Sequence, residues 1–88
     1  MKRRYVFDIE SNGLMDEATK VHCVILYDID KDEMIHVAND EAIKLMKRAQ
    51  LLIGHNIVKF DLPMLKKFYG FEPKGEIFDT IIATRLLF

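Results

Sequence analysis

Tyr5-Val6-Phe7-Asp8-Ile9-Glu10 is the stretch on which the reading of this sequence turns. Aromatic and β-branched residues make it a strand. Two acids interrupt it, and they are two residues apart. Side chains at i and i+2 of a strand share a face, roughly 6–7 Å apart. Two like charges held together raise each other's pKa, so the pair is unfavourable alone. A divalent cation removes the conflict, and Mg²⁺ accepts a few carboxylate oxygens together with water and phosphate. On spacing alone a solvated strand face explains Asp8 and Glu10 more simply, so the rest of the chain has to decide.

Ser11-Asn12-Gly13 reads as a turn that ends this strand. Val21–Tyr27 is apolar nearly throughout and reads as a strand buried on both faces, with Cys23 as a buried, inert thiol. Asp28–Glu33 is a charged turn and Met34–Ala38 a third strand, which together predict a hairpin. Asn39 or Asp40 caps a helix running to about Ala49, with Ala42, Ile43, Met46 and Ala49 as its inner stripe. Leu51–Gly54 is a short buried strand and His55–Phe60 a loop. A second helix begins near Asp61, carries Pro63 in its first turn and Leu62, Leu65, Phe68 and Tyr69 on its inner face, and stops at Gly70. Glu76–Phe78 is a last strand. Asp79 or Thr80 caps a closing helix of Ile81, Ile82, Leu86 and Leu87.

The predicted order βββαβαβα implies an α/β fold: one mixed sheet with helices packed on it. Loops at the carboxyl ends of strands gather at one edge of such a sheet. If the Leu51–Gly54 strand lies parallel to the first and beside it, Asp61 comes near Asp8 and Glu10. The competing reading of Asp61 is an ordinary helix N-cap.

At this point the residues resemble a family. Phe7-Asp8-Ile9-Glu10 looks like the first motif of the DEDD (DnaQ-like) 3′→5′ exonuclease superfamily. His55-Asn56 with Phe60-Asp61 and Leu65 resembles its second motif, and Ile77-Phe78-Asp79-Thr80 with Arg85-Leu86-Leu87 the segment that follows. Within it the likeness is to the exonuclease domains of T7-like phage DNA polymerases, where Thr19–Cys23 also has a counterpart. The resemblance implies a ribonuclease H-like fold and two divalent cations, Mg²⁺ or Mn²⁺, about 3.5–4 Å apart. It implies Asp8, Glu10 and Asp61 as metal ligands and catalytic residues. Asp8 would bridge both ions, Glu10 would serve the ion that holds the attacking water, and Asp61 would support the second. It further implies nucleic-acid contacts at Ser11, Asn12, Leu14, His55 and Asn56. Leu14 is a wedge against the terminal base in this picture, with ordinary packing as its alternative. Asn56 stabilises a turn or orients the strand end. The implied partners are a single-stranded DNA 3′ end and a polymerase domain, and the implied setting is proofreading during DNA replication.

The sequence also departs from that family. The third motif, Tyr-x-x-x-Asp or His-x-x-x-Asp, which lies well downstream of the second in that family, has no counterpart after Asp61 in these 88 residues. Residues 1–88 are therefore expected to form a single truncated exonuclease-like domain, with three of four acidic ligands and doubtful activity alone. Glu76 or Asp79 would substitute only if the last segment folded back differently. The apolar closing helix, with no cap after it, points to a partner or a homodimer. Enzyme and non-cutting binding module are both open at this stage, the latter drawing phosphate contacts from Lys59, Lys66, Lys67 and Lys74. So is a small α/β domain with no retained chemistry.

Bulk properties narrow the classes further. The net charge is −1, so no overall basicity signals nucleic acid. Residues 1–43 nevertheless hold five Lys/Arg against ten Asp/Glu, and residues 44–88 hold eight against four. Acids for cations beside a basic flank for phosphates suit a phosphodiesterase. Cys23 is the only cysteine, which excludes an intramolecular disulfide and a cysteine-based zinc cluster. His22, His36 and His55 lack metal-ligand spacing, although His55 falls near the second motif. No apolar run approaches transmembrane length and no signal peptide precedes the first strand, so a cytoplasmic location is expected, in the host cell if the gene is a phage's.

Overall fold

The computed structural model describes residues 3–11 and 21–82. Its elements are β1 (Arg4–Ser11), β2 (Val21–Asp28), β3 (Glu33–Ile35), α1 (Asn39–Lys47), β4 (Leu51–Gly54), a π-helical turn (Ile57–Asp61), α2 (Leu62–Tyr69) and β5 (Glu76–Asp79). Helical backbone resumes at Thr80–Ile82. The expected order βββαβαβ is therefore observed as far as the description reaches. The closing helix beyond Ile82, and with it the expected dimer contact, lies outside the described residues. So do Asn12, Leu14 and the Thr19–Lys20 part of the motif likeness.

The five strands form one mixed sheet in the order β3-β2-β1-β4-β5. β1 is central, antiparallel to β2 and parallel to β4, with Val6 opposite both Tyr27 and Ile53. β4 and β5 are parallel, and β2 and β3 form the expected hairpin. Arg4 braces its turn by donating from Nη2 to Asp30 Oδ1 at 2.7 Å and from Nε to Asp30 Oδ2 at 3.3 Å. The buried Asp28 closes the turn by accepting the N–H groups of Asp30 and Lys31.

Period two decides which strand residues enter the core. Tyr5, Phe7, Val24, Leu26 and Leu52 are buried on the helix-covered face, against Ala42, Ile43 and Met46 of α1 and Met64 and Leu65 of α2. Phe71 closes the end of α2 and is 1% exposed. Gly70 ends that helix in the left-handed region at φ 63°, and its N–H returns to the Lys66 carbonyl. This is the stop that a glycine permits at no steric cost.

Several expectations are corrected. β2 is not buried on both faces: Ile25 is exposed and Cys23 and Tyr27 are only partly covered, so Cys23 is not sealed in the core. The alternation of Val24 and Leu26 with these residues is that of a half-buried strand. β3 spans Glu33–Ile35 rather than Met34–Ala38. Ser11 belongs to β1, after a register shift, rather than to a turn. Asn39 does not cap α1, whose N-cap is Ala38. Its amide instead accepts the Val24 N–H at 3.1 Å and donates to the Val21 carbonyl and the Tyr69 hydroxyl. The physical reason is that β3 pairs only with Leu26–Asp28, so the same edge of β2 further back needs another partner.

Candidate active site

Asp8 and Glu10 lie on β1 as expected from period two, and both are exposed on the face away from α1 and α2. Asp61 arrives from the other side of β1. β4 runs parallel to β1 but pairs only with Arg4–Val6 and ends at Gly54. Beyond Val6 that edge of β1 has no strand beside it. The chain after β4 fills the place, and the Ile9 N–H donates to the Asp61 carboxylate. Asp61 is thereby held next to the strand that carries Asp8 and Glu10.

The segment that presents Asp61 was expected to be a loop and is one turn of π-helix. Asn56 enters it in the left-handed region at φ 58°, and the Phe60 N–H bonds the Asn56 carbonyl. π-Turns are rare and concentrate at functional sites. Asp61 itself has helical backbone angles and makes no capping bond, so the N-cap explanation of this residue fails. Gly54 is what lets the turn fold back over the strand end. A Cβ on it would stand 2.2 Å from Ile57 Cγ2 and 3.0 Å from the Phe7 carbonyl oxygen.

Asp61 is 8% exposed, and its Oδ2 is buried without a hydrogen-bond partner. Its pKa is pushed up to about 6, first by burial and then by the charge of Asp8, with Asp79 adding to it. The Ile9 N–H pulls the other way. A buried carboxyl with one oxygen unused, facing another carboxylate, is poorly stabilised as an anion by protein groups alone. A divalent cation would resolve both deficits, so the donor set fits one. Among the described residues, no three His, Cys, Asp or Glu side chains already converge closely enough to cage an ion. The acids are gathered at one edge without forming a closed cage.

The other expected positions separate. His55 is exposed, and its Nδ1 lies 2.8 Å from Thr80 Oγ1, tying the start of the turn to the end of β5. Asn56 is a turn residue, and its N–H goes to Asp79. Ser11 ends β1 three pairs beyond Asp8 in the β1–β2 ladder. Asp79 caps the residues after it, as expected, through the Ile81 N–H. Sequence reasoning missed that the same carboxylate also reaches back to the π-turn. Its pKa is raised by burial but held below the ordinary range by the N–H groups of Val58, Ile81, Asn56 and Ile82 acting together. Asp79 thus serves backbone donors of the π-turn and of the residues that follow it. Glu76 is exposed at the start of β5, at the other end of that strand.

Comparison with known proteins adds a family and two relatives. The model of the RNase H superfamily matches residues 5–85. The chain is 32% identical to a DNA-directed DNA polymerase of Enterobacteria phage T3 and 30% identical to one of Escherichia phage T7. Each alignment covers 93% of this chain and 14% of the relative, so the chain spans about one seventh of their length.

Proposed function

We propose that this chain, which belongs to the RNase H superfamily, is the core of a metal-dependent 3′→5′ exonuclease acting on single-stranded DNA ends. The observation that carries the reading is Asp61: buried, with one oxygen unpartnered, and electrostatically coupled to Asp8. Asp8, Glu10 and Asp61 would hold the divalent cations, Mg²⁺ or Mn²⁺. When bound, such ions make a water nucleophilic and stabilise the leaving 3′ oxygen. The protein's own part is positioning. β1 fixes the Asp8–Glu10 spacing, and the Ile9 N–H holds Asp61 while its second oxygen keeps no protein partner. Ser11, His55 and Asn56 flank the acids and are the proposed contacts to the terminal nucleotide. Lys59, exposed in the π-turn, is a further proposed contact, to a phosphate.

Both relatives are DNA-directed DNA polymerases. We extend the proposal accordingly to a proofreading role within or beside a polymerase. A second reading has one observation in its favour: Lys59 and Lys74 are exposed and could contact phosphates without any cation. It is a nuclease-derived module that holds single-stranded ends without cutting them.

A 3′-labelled single-stranded DNA incubated with the chain and Mn²⁺ or Mg²⁺ separates the two. Cation-dependent loss of 3′ nucleotides, abolished by Asp8→Ala, supports the exonuclease. Retained binding with no cleavage supports the module, and absence of both removes the proposal.

A further inference from the structure

We infer that Asp79 is a positioning residue for the acidic site, holding in place the π-turn that presents Asp61. The role toward metal ligands rests on the nuclease reading, whereas the mechanical role stands on the hydrogen bonds alone.

Asp79 is the last residue of β5 and is 6% exposed. Its Oδ1 accepts the N–H of Asn56 and of Ile81, and its Oδ2 the N–H of Val58, all at 3.0 Å. One carboxylate therefore joins three pieces: the end of β5, the entry of the π-turn, and the helical backbone that starts at Thr80. The first N–H groups of any helical turn have no partner within it. Val58 carries one of these in a turn spanning Ile57–Asp61. Asp79 supplies the acceptor from a strand rather than from the usual preceding residue. The His55–Thr80 contact ties the same two segments a second time.

The consequence falls on Asp61, three residues beyond Val58. A buried carboxylate beside Asp8 gains by moving out to water. Its own tether is the Ile9 N–H. A turn fixed at Asn56 and Val58 prevents that movement. The geometry also explains why an acid rather than an amide stands at position 79. Asparagine would keep an oxygen for Asn56 and Ile81 but would turn an N–H₂ donor toward the Val58 N–H.

Amide hydrogen exchange on the metal-free chain tests the mechanical claim. In Asp79→Asn, exchange at Ile9 and Val58 should rise about tenfold while Phe7 and Leu26 keep their protection. Uniform acceleration of all core amides would overturn the proposal, because Asp79 would then be a general stability residue; so would no change. If Asp79→Ala fails to fold, the asparagine variant carries the test, and failure of both to fold overturns it. Mn²⁺ affinity followed by electron paramagnetic resonance tests the link to Asp61. Asp79→Asn should weaken binding about tenfold in the wild-type background and less than about twofold in Asp61→Asn. Equal loss in both backgrounds would show that Asp79 does not act through Asp61. Absence of Mn²⁺ binding by the wild-type chain counts against the nuclease reading, and the exchange result still decides the role of Asp79.

Discussion

Asp61 is the residue at which stability and function are set against each other. Its pKa of about 6 in the fold lies above the ordinary aspartate value of 3.8. It therefore favours the fold below about pH 3.8, and that contribution is lost as pH rises through 6. Above that, the ionised group costs the metal-free chain on the order of 2 kcal/mol. Asp61→Asn should raise the melting temperature at pH 7 by several degrees and flatten its decline between pH 4 and 7, read by circular dichroism. The same change should abolish any cation-dependent cleavage. Gly54 makes the opposite kind of prediction. Gly54→Ala puts a methyl against Ile57 and the Phe7 carbonyl, and should cost about 1–3 kcal/mol in urea unfolding while loosening the π-turn. At this scale much was legible beforehand. Period two placed Asp8 and Glu10 on one face, and the end of a parallel strand placed Asp61. The double reach of Asp79 was not legible, because its partners Asn56 and Val58 are more than twenty residues away and meet it only once β4 and β5 have paired.

Among the elements, two short strands leave the same problem and two side chains solve it. β4 stops before β1 does, and Asp61 takes the Ile9 N–H; β3 stops before β2 does, and Asn39 takes the Val24 N–H. Both residues look like helix caps in the sequence, since each precedes a helix and has the right chemistry. Neither caps, because a bare strand edge competes for the same acceptor. Asn39→Ala should therefore behave as the loss of a buried strand pairing rather than of a cap. It should cost about 1–3 kcal/mol, with Asn39→Asp intermediate because it keeps the acceptor. Element existence and order were readable from periodicity, including β4 at Leu51–Gly54 and the stop of α2 at Gly70. The π-turn was not, since no residue pattern distinguishes it from a loop until a strand end and an anchoring carboxylate fix it.

Among the described residues, α1 and α2 cover one face of the sheet and leave the other open. Across the open face runs a row contributed by all five strands in order: Met34, Tyr27, Val6, Ile53 and Phe78, opposite one another in the register. Met34, Val6 and Phe78 are exposed, by 47, 38 and 48%. A continuous apolar band of this kind is unusual on a small folded protein. The folded chain should bind a hydrophobic dye such as anilinonaphthalene sulfonate, and Phe78→Ser should weaken the signal while changing stability by less than about 0.5 kcal/mol. The sequence concealed this row, because the same apolar residues serve equally well as core until pairing assigns their faces. No described helix is long and apolar enough to cross a membrane.

The central position of β1 has a further consequence, one of timing. Flanked by β2 and β4, its amides should be among the last to exchange with solvent, whereas the turn bearing Asp61, anchored by the buried Ile57 and by side-chain bonds rather than by strand pairing, should open more often. The acids of the site thus belong to different units of local unfolding. In mild denaturant Asp61 should part from Asp8 and Glu10 while the sheet is still whole, so the site would come apart before the protein does.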